Sequence, residues 1–461
     1  MADAEVTAEQ AGAVIRSRPF IAVLAIAAVV GIVVSLAAWG FLELTHQLQV
    51  GVFQDIPDDL GESSAPLWYL LLVLGIAGLI TAFAIARLPG KGGHIPAHGL
   101  QAGNPPSPAD LPGILLAAIA TIGLGLVLGP EAPLIALGTG LGVMTVRAAK
   151  RDAPDQLLLI VGAAGSFAAV SFIFASPIIA AILLIEATGI GGPKLKLILL
   201  PGLLAAGIGS LVSIGMGSIT GLSTSAYALG ALQLPHFARP DAADFGWTIA
   251  LAIVIAIVVQ VILRVGRETE RFATPRPFVI IPAVGLIVAG LAYGFAEASG
   301  KSANAVLFSG QDALPSLVTE GAGWSLSALA LLIGFKGIAY GLSLGSFRGG
   351  PTFPALFLGA AAGVMASRLP GFSLTPAVAV GMAAATVGVL QLPLSAVVLA
   401  FVLTGEAGAG SGPLIIVAVV VAYVVTVVIR GREGAGPAPA AAADGPADGA
   451  PAPAATGPPA G

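Results

Sequence analysis

The chain has 461 residues, of which 57% are hydrophobic and only 10% charged, whereas a soluble domain carries roughly 25% charged residues. That is too little polar surface for two or three soluble domains of this total length, so the composition describes one membrane body. A net charge of −4 offers no basic face for nucleic acid, the absence of Cys excludes disulfides, thiolate metal sites and thiol catalysis, and His46, His94, His98 and His236 have no metal-ligand spacing.

In chain order, residues 1–19 are mostly polar and read as a cytoplasmic segment. The apolar run from Phe20 to Leu42 is too long for a signal-peptide core and is expected as a retained first helix. Further apolar runs fall near 67–86, 112–128, 133–146, 157–174, 177–190, 195–215, 246–263, 278–296, 325–344, 354–367, 375–390, 393–404 and 413–429. A straight membrane helix needs about 20 apolar residues. Several of these runs are shorter and broken by Gly or Pro, as in transporters whose helices stop at mid-membrane and point their free backbone ends into a cavity. The expected fold is all-α, with a membrane transport domain over 20–430 and a disordered Ala/Pro/Gly-rich tail over 431–461. Arg16 and Arg18 at one end, and Arg430 and Arg432 at the other, favour cytoplasmic termini and an even number of crossings.

Internal repetition divides that domain. Gly129-Pro130-Glu131-Ala132-Pro133 through Gly138 recurs as Gly350-Pro351-Thr352-Phe353-Pro354 through Gly359, with the shared pattern GPxxPxxxLG. Downstream, Pro177-Ile178-Ile179-Ala180-Ala181 matches Pro393-Leu394-Ser395-Ala396-Val397 in the same order. The halves are then about 20–215 and 246–430, joined by a more polar stretch.

In each loop a Gly-Pro break is followed by a second proline suited to the first helical turn, where a missing N–H costs nothing. The free N–H groups and the positive end of the helix dipole then point into the loop and attract an anion. Two such ends meeting at mid-membrane would make an anion site without a buried cation, binding weakly enough to release its ion. Glu131 sits in the first break and is the only charged residue between Asp110 and Arg147. A carboxylate inside the membrane costs at least about 2.5–3.5 kcal/mol, and a helix N-terminus offsets up to about 2 kcal/mol of it. Such an acid can occupy the anion site when ionised and leave when protonated or displaced, which makes it a gate. The alternative is a cap facing the aqueous surface.

At these residues the chain resembles the CLC family of chloride channels and chloride/proton antiporters. The family's GSGIP, GREGP and GxFxP motifs correspond in order to Gly92-Gly93-His94-Ile95-Pro96, Gly129-Pro130-Glu131-Ala132-Pro133 and Gly350-Pro351-Thr352-Phe353-Pro354. The segment from Phe174-Ala175-Ser176-Pro177 to Glu186 matches as well. The resemblance implies an inverted-repeat fold, a homodimer in the cell membrane, and an anion pathway in each subunit gated by Glu131. It implies anion-binding roles for Gly93, His94, Glu131, Ala132, Gly350, Thr352 and Phe353, with no cofactor.

The chain departs from that pattern in several places. The motif serine, a hydroxyl ligand in the family, falls on Gly93. His94 then stands either as an anion ligand or as a loop histidine at the cytoplasmic mouth. Pro130 and Pro351 have no N–H to give, whereas Glu131, Ala132, Thr352 and Phe353 keep theirs. The family's last-helix tyrosine has no clear match after Tyr423. The internal proton-relay position falls on Ala187, next to Glu186, which is either a displaced relay or a structural acid paired with Lys194 or Lys196. Lys336 and Glu406 read as packing or mouth residues. Three functions remain open: a chloride channel or weakly proton-coupled transporter, a proton-coupled chloride antiporter, and a non-transporting scaffold. An enzyme is not expected, because no nucleophile–base pair or metal cluster is present.

Overall fold

The computed structural model describes residues 8–61, 65–100, 106–189, 192–220 and 228–434. Its helices are α1 (Ala8–Ile15), α2 (Arg18–Val50), α3 (Ile56–Asp59), α4 (Leu67–Arg87), α5 (Leu111–Gly123), α6 (Glu131–Ala149), α7 (Asp155–Phe174), α8 (Pro177–Thr188) and α9 (Gly192–Thr220). After the polar connection come α10 (Ala242–Ala273), α11 (Pro277–Ser299), α12 (Ala313–Thr319), α13 (Leu326–Ser346), α14 (Thr352–Ala366), α15 (Leu374–Leu390), α16 (Pro393–Thr404) and α17 (Gly412–Gly434). No β-strand occurs among the described residues.

Every apolar run contains a helix, and local chemistry sets the ends. Ser17 caps α2, accepting from Phe20 N at 3.3 Å, so that helix starts before the apolar run does. The capping box of Asp241 and Asp244 starts α10 early, and the helix continues past its apolar part to Ala273. The run 112–128 divides instead. Its helix α5 ends at Gly123, and Gly125 (φ +93°) turns the chain towards the Gly-Pro break. The expected cytoplasmic segment 1–19 contains α1 in its described part, and most of the expected disordered tail lies outside the described residues. Nine helices among the described residues are long and apolar enough to cross a membrane, and five more apolar helices have 10–17 residues.

The two halves pack alike. Helix α7 lies against α2, α6 and α9, and α15 lies in the same way against α10, α14 and α17. The α6–α7 contact closes through Gly138 and Gly165, where a Cβ on either would strike the other's backbone. Gly359 and Gly381 do the same between α14 and α15. Across the halves α4 packs on α11 and α8 on α16. The connection after α9 is held to both: Leu229 N donates to Ile173 O at 3.0 Å, and Leu232 N donates to Leu403 O at 2.7 Å.

The two Gly-Pro loops meet. Gly129 and Gly350 form an antiparallel bridge, with Gly129 N donating to Gly350 O at 2.7 Å and Gly350 N donating to Gly129 O at 2.5 Å. These glycines are equivalent in the repeat, so each loop pairs with its own counterpart across a local two-fold axis. That is the geometry of inverted repeats, and it sets the N-termini of α6 and α14 side by side. Of the residues expected to serve packing, Lys336 is fully buried, and its Nζ donates to the carbonyls of Ala305, Val306, Leu307 and Phe308 at 2.8–3.1 Å. Glu406 is exposed at the start of a 3-10 turn.

Candidate functional site

Helices α6 and α14 begin directly after Pro130 and Pro351, so the first turn of each carries N–H groups with no partner within the helix. Pro133 and Pro354 occupy the third helical position, where no N–H is missed, and the first helical bond of α6 is Leu134 N to Pro130 O at 3.0 Å. Glu131 and Thr352 are therefore equivalent residues at the first positions of facing helices.

The side chain of Glu131 crosses the axis. Its carboxylate Oε1 accepts from the backbone N–H of Thr352, and the residue is fully buried. Thr352 N–H was expected to face an anion opposite Glu131. It is instead taken by the Glu131 carboxylate itself. The other carboxylate oxygen, Oε2, and the Thr352 hydroxyl are buried without a partner. Both bridge glycines press on the carboxyl group, since a Cβ at Gly129 or Gly350 would overlap it. The aqueous-cap alternative for Glu131 does not survive this burial.

Two further side chains bear on the pair. Tyr340 of α13 is buried, and its hydroxyl donates to Pro351 O at 2.5 Å. The same peptide unit thus accepts from Tyr340 and donates to Glu131. Phe353 is buried and stacks on Phe174, with ring centroids 5.1 Å apart. That contact joins the second loop to the segment ahead of α8.

Two cavities reach the chain on either side of Glu131, which itself lines neither. The larger, about 830 Å³, is lined by Gly93, His94, Ala132 and Pro133, together with Arg147 and Arg348. The smaller, about 440 Å³, is lined by His46, Gln49, Pro130, Phe308 and Asp312, among others. The residue before Glu131 thus borders the smaller cavity and the residue after it borders the larger.

The expected residues fall into three groups. Glu131, Gly350, Thr352 and Phe353 come together at the axis. Gly93, His94 and Ala132 line the larger cavity. His94 Nε2 is engaged with Gly99 O in its own loop, so only its other ring nitrogen is left for a ligand. Glu186 lies apart from both groups. Its carboxylate accepts from Leu394 N at 2.9 Å, Ser395 N at 2.7 Å and Ser395 Oγ at 2.6 Å, capping the N-terminus of α16. Of the two readings of Glu186, relay or structural acid, the cap is a structural role, made by free N–H groups at a helix start; the side chain of Lys194, one of the two expected lysine partners, is outside the described residues.

Sequence reasoning missed two residues. One is Arg348, which is 7% exposed and lines the larger cavity. Its signal was present as an isolated charge immediately before Gly349-Gly350-Pro351. Tyr340 had no such signal. It supplies a buried hydroxyl from α13, whereas Tyr423 of the last helix is only half-buried.

The family model described as voltage gated chloride channel matches residues 78–427. The chain belongs to the CLC family. It is 28% identical over 359 residues to the YfeO protein of Escherichia coli O1:K1 / APEC, named for ion transport, covering 76% of this chain and 80% of that protein. Its fold is similar to the crystal structure of a slow cyanobacterial Cl−/H+ antiporter, with a TM-score of 0.70 at 20% identity, covering 89% of this chain and 95% of that one. It is also similar to a CLC-type fluoride/proton antiporter, with a TM-score of 0.64 at 17% identity, covering 88% and 95%. The chain is therefore a multi-pass membrane protein of CLC-type anion transport, a family of transporters and not of enzymes.

The contact between the Gly350 backbone and the Glu131 carboxyl yields a coupling test. Gly350→Ala alone should destabilise the protein by about 1–3 kcal/mol through overpacking. In a Glu131→Ala background most of that cost should disappear, because the group being struck is gone. Thermal midpoints of the four variants in detergent measure this, and equal losses in both backgrounds would mean that the carboxyl does not sit against Gly350.

Proposed function

We propose that the chain carries small inorganic anions, chloride foremost, along a pathway in each subunit that Glu131 closes. The observation that carries this reading is the Glu131 carboxylate, buried on the Thr352 N–H at the paired helix starts, with a cavity bordering the chain on each side of it. When ionised, it fills the place of an anion at the paired helix ends. When protonated, it loses its charge-assisted bond and an anion can take the same N–H. Gly93, His94 and Ala132 line the approach from the larger cavity, and Gly350, Thr352 and Phe353 provide backbone at the closed point.

The larger cavity fits the cytoplasmic side. Arg147 lines it, beside Asp110 and Asp155, and Lys150 and Arg151 follow at the end of the same helix, whereas the smaller cavity is lined by Asp312 and by no Lys or Arg among the described residues. Arg18 opens α2 and His46, near its far end, lines the smaller cavity, so the N-terminus falls on the side of the larger one. A cytoplasmic C-terminus and a homodimer complete the proposal. The exposed Ile178 and Leu394, at equivalent positions of α8 and α16, suit a face that a second subunit covers.

Replacing Glu131 by Gln should leave the protein folded and make anion flux insensitive to pH, because the amide neither ionises nor titrates. Flux through liposomes across an acid-to-neutral series measures it. A wild-type pH profile in Glu131→Gln would overturn the gate.

Coupling to protons is proposed to be weak or absent. The internal relay position is Ala187, and Glu186 is committed to the start of α16. Sealed liposomes with an outward chloride gradient should therefore take up few protons per anion released. Stoichiometric uptake would instead establish a proton-coupled antiporter and return the relay role to Glu186.

A further inference from the structure

Helix α10 keeps one face exposed along much of its length, and the chemistry of that face changes part-way. Val254, Ile257, Val261, Arg264, Glu268 and Arg271 recur at alternating steps of three and four residues and are all exposed. The first three suit hydrocarbon and the last three do not, so the edge of the apolar layer falls between Val261 and Arg264. From Arg264 to Arg271 the helix rises about 10 Å, enough to cross one headgroup layer. Exposed apolar side chains then return with Phe272, and with Phe278 and Val279 at the start of α11. Apolar surface on both sides holds the elbow between α10 and α11 at headgroup depth, not out in water.

The elbow is basic. Arg264, Arg267, Arg271 and Arg276 lie here against Glu268 and Glu270. Glu270 is held by His98 at 2.9 Å, in the loop that follows Gly93 and His94, which puts the elbow on the side of the larger cavity. Glu268 meets Arg271 at 2.7 Å, but both are exposed, and such a pair contributes little. Arg276 is exposed and has no side-chain partner among the described residues. The equivalent elbow of the other repeat, between α2 and α4, carries Asp55, Asp58 and Asp59 and no Lys or Arg among its described residues. Inverted repeats put equivalent connections on opposite faces of the membrane. The two elbows therefore differ in sign, and only the one on the larger-cavity side attracts negative charge.

We propose that the α10–α11 elbow binds an anionic phospholipid, with Arg271 and Arg276 on its phosphodiester and Phe272, Phe278 and Val279 among its acyl chains. Charge complementarity selects the headgroup, since a guanidinium fork matches two phosphate oxygens. The neighbouring aromatic and aliphatic side chains select a lipid over a free phosphate, because a soluble anion leaves them bare. This binding surface is independent of the anion route and of which face is cytoplasmic.

The test compares binding of phosphatidylglycerol and phosphatidylcholine to the purified full-length protein in detergent, by native mass spectrometry. Wild type should prefer phosphatidylglycerol, and glycerol phosphate, the headgroup without acyl chains, should not displace it. Arg271→Gln with Arg276→Gln should lose about 10- to 30-fold in phosphatidylglycerol affinity and little in phosphatidylcholine affinity. Lys150→Gln with Arg151→Gln removes the same charge elsewhere and should leave the preference unchanged. All four side chains are exposed, so none of these changes opens the core. Equal affinity of wild type for the two lipids, an unchanged preference after Arg271→Gln with Arg276→Gln, an equal loss after Lys150→Gln with Arg151→Gln, or displacement by glycerol phosphate would each overturn the proposal.

Discussion

The hydrogen bond from the Thr352 N–H to the Glu131 carboxylate organises the centre of this molecule. It joins equivalent positions of two repeats, which is possible only where both loops lie on the axis that relates them. The Gly129–Gly350 bridge puts them there, and it needs glycine on both sides because the carboxyl group fills the space a Cβ would take. The bond also continues outward. Tyr340 donates to the carbonyl of the peptide whose N–H holds Glu131, and hydrogen bonds linked in this way polarise one another. A hydroxyl on α13 thereby strengthens the hold on a side chain of α6 without touching it.

Buried charge is distributed unequally around that bond. Glu131 has one backbone donor and one unpartnered oxygen, Arg348 has a buried Nε without a partner, and Lys336 has a full set of acceptors. Full satisfaction fixes a group in place, while partial satisfaction leaves it able to exchange partners. Lys336 accordingly serves as a strut between α13 and the segment before α12. In the proposed pathway, Glu131 is the group on which an entering anion acts. A proposed gate that is too well bonded would not open, and one with no donor would be too costly to bury.

Much of the architecture was legible because apolar runs and Gly-Pro breaks report directly on membrane helices. The repeat was visible in GPxxPxxxLG, and it made Glu131 and Thr352 equivalent positions, although the direct bond between them was not foreseen. The boundaries of α10 followed Asp241 and Asp244, local capping chemistry that lies outside the apolar signal. What sequence could not supply were contacts between residues far apart in the chain. Glu186 meets Ser395 only because α8 and α16 pack across the halves, and no spacing encodes that. Tyr340 looked like any tyrosine in an apolar helix until the fold placed it under Pro351. Arg348 stood in plain view beside the third motif, but a single charge next to a Gly-Gly pair does not say whether it faces lipid headgroups or a cavity.

The central claim is that one N–H serves both the Glu131 carboxylate and the permeating anion. Its most direct test removes that donor alone, by amide-to-ester replacement at position 352 in a Glu131→Ala background where no carboxylate competes. A hydrogen bond to a charged group is worth about 1.5–3 kcal/mol, so the ester should weaken chloride binding by roughly one to two decades relative to Glu131→Ala alone. Unchanged chloride affinity in the ester would show that the anion binds elsewhere and that the N–H holds only the carboxylate.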